Sequence, residues 1–169
     1  MNLAIVFKRP DGGVSITYPV EPMLDGEGEA QYLDRIEVKL RQKRPTPEGG
    51  QASAIPENWV RVAAIDKSAL PDDRTFRAAW GWETPEQVID IRMDRARAIY
   101  LDRLREVRDE KLAELDVEVI KNIGKPDEVA KIEAQKQVLR DLPAAVAPAL
   151  EKAKTPEQLK AIQPKELKG

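Results

Sequence analysis

The chain has 169 residues, 28 of them basic and 30 acidic, for a formal charge of −2. No bulk field therefore favours nucleic acid or an anionic membrane, and no stretch of 18 uninterrupted apolar residues provides a transmembrane span. There is no cysteine and no histidine, which excludes disulfides and thiolate chemistry and removes the commonest general base and metal ligand.

Charged residues make up 34% of the chain against 41% hydrophobic, a balance that suits a helical, surface-rich protein better than one thick core. The first residues carry no basic segment ahead of their short apolar run, so no secretory signal is expected. Residues 3–7 (LAIVF) read as a strand. Asp11-Gly12-Gly13 follows, and 14–18 (VSITY) alternates apolar and polar residues, which predicts a β-hairpin ended by Pro19 and Pro22. In 29–41, Tyr32 or Leu33, Ile36 and Leu40 recur at helical spacing. An amphipathic helix there would cover one face of the hairpin, which is marginal alone.

Residues 43–56 hold three prolines and two glycines and read as an exposed loop. Residues 59–65 (WVRVAAI) are the third strand. Asp72 or Asp73 is placed to cap one or two turns carrying Phe76 and Trp80 on one face. The plain reading anchors both rings on the small sheet; the functional one makes them an exposed pair for a partner. The basic residues Arg35, Lys39, Arg41, Lys43 and Arg44 could mark a nucleic-acid footprint. They are interleaved with Asp34 and Glu37, so a solvated helix face is the favoured reading.

The longest pattern is 84–123, free of glycine, with Pro85 its only proline. Thr84 is placed as N-cap with Gln87 completing a capping box, and Gly124 and Pro126 as stop signals. Such a helix would reach about 55–60 Å. One apolar line follows it: Met93, Ala96 or Arg97, Tyr100, Leu104, Val107, Leu112, Leu115, Val119 and Ile123. Its step of roughly 3.6–3.8 residues fits a nearly straight helix better than a strict heptad. The line is narrow and needs something to pack on.

After a short break, with Asp127 as N-cap, 128–142 resumes the pattern through Val129, Ile132, Val138 or Leu139, and Leu142. Folding back as an αα-hairpin is the simplest arrangement. Pro143 and Pro148 are expected to break that helix, though 144–154 could hold a short one. Thr155-Pro-Glu-Gln158 repeats Thr84-Pro-Glu-Gln87 to the letter and predicts a last short helix over 156–162, ended near Pro164. So short a match is read as convergent capping chemistry, not duplication.

These elements define an α+β fold: a small N-terminal domain over 1–83, with a hairpin, a third strand and one helix, then a helical-hairpin domain over 84–169. No catalytic constellation is expected. Asp90, Asp94 and Asp102 share one flank of the expected helix, but Arg92, Arg95, Arg97 and Arg103 stand close by, so ion pairing is favoured over acid/base or cation chemistry. No Gly-rich phosphate loop and no nucleophile elbow occurs. No metal or cofactor site is expected.

Two stretches carry a resemblance. One is 55–80, with the core Leu70-Pro-Asp-Asp-Arg-Thr-Phe-Arg-Ala-Ala-Trp80. The other begins at Met93-Asp-Arg-Ala-Arg-Ala-Ile-Tyr-Leu-Asp-Arg-Leu-Arg-Glu-Val-Arg108 and continues through Lys111-Leu-Ala-Glu-Leu-Asp-Val-Glu118, Gln135-Lys-Gln-Val-Leu-Arg-Asp-Leu-Pro143 and Thr155-Pro-Glu-Gln-Leu-Lys160. Together they resemble the phage tail assembly chaperone proteins, encoded near tail and tail-fibre genes of tailed bacteriophages. The likeness covers roughly 55–160. It departs at Tyr100, where that family often has histidine, and in a shorter inter-helix segment. It implies a non-enzymatic protein that binds phage tail or tail-fibre proteins, as assembly chaperone or structural virion component. Its place would be the host cytoplasm during assembly, the virion tail, or both. The candidate partner-binding residues are Phe76, Trp80, Tyr100, Leu104, Val107, Leu112, Leu115 and Val119. The alternatives are an oligomerising structural adaptor, with the stripes packing between copies, and, ranked last, a nucleic-acid-binding module.

Overall fold

The computed structural model describes residues 2–82 and 89–167. The fold is α+β, and the chain divides into two compact units, Met1–Asp90 and Ile91–Gly169.

In the first unit, β1 (Leu3–Lys8) and β2 (Val14–Thr17) form the expected hairpin. Its turn needs a positive φ at Gly12 (80°) and is closed by Gly13 N donating to the Asp11 carboxylate at 2.9 Å. Helix α1 (Glu29–Arg41) follows, with the bounds its periodicity predicts. Residues 43–56 are not structureless. β3 (Arg44–Pro45) pairs with β4 (Gln51–Ala52) around a turn with Gly49 at φ 83°, and Ile55 beyond it is buried. Strand β5 (Val60–Asp66) then pairs antiparallel with β1, giving the sheet order β2-β1-β5.

Alternation along β1 sends Leu3, Ile5 and Phe7 to one face. There Ile5 and Phe7 meet Tyr32 and Ile36 of α1, together with Ile55, and Leu33, Leu40 and Trp59 pack around them. Ala4 and Val6, on the opposite face, are equally closed to solvent. Two-residue strands β6 (Trp80–Gly81) and β7 (Asp90–Ile91) complete the strands.

Helix α2 (Met93–Lys121) starts later than its glycine-free run suggests. Residues 90 and 91 are extended and Arg92 has ψ 105°, so Asp90 does not share a helix flank with Asp94 and Asp102. The cap expected at Thr84 lies outside the described residues. Helix α3 (Pro126–Lys152) begins with Pro126 in its first turn and Lys125, not Asp127, at the N-cap. It runs straight through Pro143 and Pro148, where breaks were expected. Each interior proline removes one backbone hydrogen bond and costs about 3 kcal/mol or more. The stripe Leu139, Leu142, Val146, Leu150 is buried across the same turns, and at about 1.5–3 kcal/mol per large apolar side chain it outweighs that loss. Helix α4 (Pro156–Lys160) is capped as predicted, Thr155 Oγ1 accepting from Gln158 N at 3.3 Å. α3, α4 and a final 3-10 turn (Lys165–Leu167) all pack on α2.

Candidate functional site

The basic residues of α1 are spent inside their own unit. Arg35 forks onto Glu27 (Nε–Oε1 2.7 Å, Nη2–Oε2 2.8 Å) and reaches Glu21 at 2.9 Å and the Pro22 carbonyl at 3.0 Å. Lys39 joins Glu21, and the Tyr32 hydroxyl donates to the Glu21 carbonyl at 2.8 Å. Residues 21–27 are thereby fastened to the helix. The Arg35 guanidinium and the Leu24 N–H, both donating to Glu27, pull its carboxyl from the ordinary 4.5 to about 2. Arg41 binds the carbonyls of Pro56 and Trp59 (2.9 and 2.7 Å) and the Glu37 carboxylate, fixing the entry into β5. Only Lys43 and Arg44 of the basic set stand exposed.

Phe76 and Trp80 are buried, at 1% and 2% exposure. A 3-10 turn (Arg77–Ala79) lies between them, and Asp73 closes the approach by accepting from Thr75 N at 2.9 Å. Both rings are closed to solvent, as the plain of the two sequence readings expects, and Trp80 also forms part of the wall of a groove beside β2.

In the second unit, the stripe of α2 serves α3 and the C-terminal segment. Tyr100 is half-buried, and its hydroxyl donates to the Ile162 carbonyl at 2.8 Å. Burial pushes the phenol up, against the opposing pull of Arg103. Arg97 donates to the Ala153 carbonyl at 2.8 Å. Leu104, Leu112, Leu115 and Val119 are half-buried, and Val107 is exposed.

Burial is concentrated at one end of this hairpin. Ala96, Leu139, Leu142, Val146, Leu150, Ala153 and Leu159 are its buried apolar residues, and all but Leu139, at the middle of α3, lie where α2 begins and α3 ends. The other end, built from the C-terminal half of α2 and the N-terminal half of α3, buries only one residue, Lys136. Its stem is covered while its ammonium bridges Asp116 of α2 (2.7 Å) and Glu133 (2.6 Å). Both carboxylates, Asp116 first, raise its pKa. Around this tether the arm exposes Val117, Ile120 (69%), Ile123 (82%) and Val138. Leu115, Val138 and Leu139, with Lys111, Glu114, Gln135 and Glu166, line a groove of about 350 Å³.

Sequence reasoning missed Val117 and Ile120 because it followed the single best apolar line, and it named Val138 only as an alternative to Leu139 in the second helix. Val117 and Ile120 lie off that line, three residues apart on another face of α2, and that spacing was the signal available. Asp94 pairs with Arg92 and Asp102 with Arg105. Among the described residues no group of three or more acidic side chains is placed to hold a metal ion, and no helix is long and apolar enough to cross a membrane. Comparison with family models, curated proteins and solved structures finds no match.

Proposed function

We propose that this is a non-enzymatic, tail-associated protein of tailed bacteriophages that binds another tail or tail-fibre protein through the open end of its helical hairpin. The observation that carries the reading is the exposure of Val117, Ile120, Ile123 and Val138 on helices whose opposite end has a closed core. Apolar side chains gathered on one arm gain about 25 cal/mol per Å² when a partner covers them. The phage assignment rests on the sequence resemblance, and the mode of action on the arm. Assembly chaperone and permanent virion component are both compatible with such a surface.

The test is affinity capture of tail proteins from infected cells by the native chain and by Ile120→Ser/Ile123→Ser. Capture of a tail or fibre protein by the native chain, lost in the variant, supports the reading; equal capture by both refutes the arm as the contact. Mass spectrometry of purified particles separates the two roles, since stoichiometric recovery rules out a purely transient chaperone.

A second reading is favoured by the geometry of the arm. Two helices with apolar residues left outside are half of a four-helix bundle, so a second copy could close it and make the protein an oligomerising adaptor. Light scattering at micromolar concentration decides: a clean monomer removes this reading.

A further inference from the structure

A second surface lies in the first unit. Val14, Ser15 and Ile16 of β2 all line a groove of about 340 Å³, together with Arg9, Arg77, Ala78 and Trp80. Neighbouring residues of a strand send their side chains to opposite faces, so three in a row line one groove only when it runs along the strand's backbone edge. β1 occupies one edge of β2, and β2 is the outermost strand of its sheet. Among the described residues no strand pairs with the other edge of β2, and the groove follows it.

The course of the described chain beside that edge accounts for the groove. Gly81 forms an antiparallel bridge with Gly13, immediately before β2. Continued in that register, Ala79 would lie opposite Ser15. Instead Arg77–Ala79 winds into a 3-10 turn, with Ala79 N donating to the Phe76 carbonyl at 2.8 Å. The chain leaves β2 after one bridge, and the peptide groups beyond it are left as a template for another strand.

Among the described residues the lining holds two arginines and no acid. Arg77 is exposed, and among the described residues no carboxylate pairs with it. Arg9 has Asp11 at 3.4 Å from its Nε, which makes no hydrogen bond. The indole Nε1 of Trp80 is closed to solvent and has no acceptor, so it is not offered to an occupant. One bringing carboxylate oxygens would match the Arg9 and Arg77 guanidiniums. We propose that this groove takes an extended, carboxylate-bearing segment of a partner protein, added as a strand along the open edge of β2. Main-chain hydrogen bonds would hold the segment, and Arg9 and Arg77 would select it by charge.

Strand addition of this kind tolerates many sequences, so a generic probe is a fair test. The full-length ¹⁵N-labelled chain is titrated with a capped pentapeptide of alternating aspartate and valine, and with its lysine-for-aspartate counterpart. The expected result is saturable shifts at the amides of residues 14–17 and at the Trp80 indole N–H, with an affinity of about millimolar. Binding should be weak for the lysine peptide and lost in about 1 M salt. Arg77→Glu, at an exposed position, should weaken it roughly fivefold or more, while Arg44→Glu, outside the groove, should leave it unchanged. No saturable shift at those positions, or equal binding of both peptides, overturns the proposal. So does acetate alone reproducing the shifts, which would mark a small-anion site. An oligothymidylate that competes with equal affinity would assign the arginines to phosphate and overturn it as well.

Discussion

The sheet-and-helix unit and the hairpin arm are built from similar apolar residues and use them in opposite ways. Around β1 each face meets a cover: Ile5 and Phe7 lie under Tyr32 and Ile36, and Ala4 and Val6 are closed on the other side. In the arm, α2 and α3 pack chiefly on each other, with Glu166 of the last 3-10 turn at their groove. Two cylinders in contact shield one narrow line on each, so Val117, Ile120, Ile123 and Val138 stay exposed. At the root of the same hairpin, α4 lays further cover on α2, and the core there closes around Leu142, Val146, Leu150 and Leu159. What separates stable core from available surface is the number of elements meeting at a point, more than hydrophobicity.

The sharpest contrast comes from truncating closed positions. Phe7→Ala should cost about 3–5 kcal/mol and Leu150→Ala about 2–5 kcal/mol, as buried side chains lost from packed sites. The three tryptophans, Trp59, Trp80 and Trp82, all lie in the first unit. Indole fluorescence therefore follows that unit, while helical circular dichroism is dominated by the hairpin. In urea, Phe7→Ala should shift the fluorescence transition and Leu150→Ala the dichroism transition. Equal shifts of both probes in both variants would show one cooperative block and break the comparison.

Acid should act on the sheet unit through its carboxylate clamp. Glu27 is held at about 2 by Arg35 and Leu24 N–H, and Glu21 is lowered chiefly by Lys39. A carboxyl lowered on folding contributes stability that is present above its unfolded value, near 4.5, and is lost as pH falls toward its folded value. The fluorescence midpoint in urea should therefore fall between pH 4.5 and about 2, and Glu27→Gln should flatten that dependence. Lys136 in the arm has the opposite sign. Its raised pKa gives a contribution present below the ordinary ammonium value and lost as alkali passes the folded one. An acid limb unchanged by Glu27→Gln would remove the clamp from the account.

Tyr100→Phe tests the join between α2 and the C-terminal segment. Its hydroxyl bond to the Ile162 carbonyl is neutral, so the loss should be about 0.5–1.5 kcal/mol by helical dichroism, with the fluorescence transition unmoved. No change would mean that water replaces the carbonyl without cost.

What the sequence made legible follows from the range of the forces involved. Local signals sufficed for α1, for the β1–β2 turn at Asp11 to Gly13, and for the Thr155 cap, each set by residues within one turn of each other. Pro143 and Pro148 misled because a local penalty was read without the non-local burial of Leu142, Val146 and Leu150. The apolar line from Tyr100 to Val119 was found, but its half-buried residues show it largely used within the hairpin unit. Periodicity identifies what must pack and says nothing of what is left over. Phe76 and Trp80 show the same limit: aromatics fit core and interface alike until neighbours are placed around them. The groove beside β2 arises from the Gly13–Gly81 bridge, a pairing that no local pattern announces.

The smallest effect on stability belongs to the arm, and it carries the most information. Ile120→Ser and Ile123→Ser remove side chains already 69% and 82% exposed, so each should move the dichroism transition by no more than about 0.5 kcal/mol. Amide exchange should run the same way, faster in the arm than at Leu142 to Leu150, because less buried apolar contact holds the arm's helices closed. If instead either substitution costs about 2 kcal/mol or more, Ile120 and Ile123 are covered in solution by a second copy, and the loss will grow on dilution as association reverses. A loss independent of concentration would place their cover within the chain itself, and the distinction between closed core and open arm would fail.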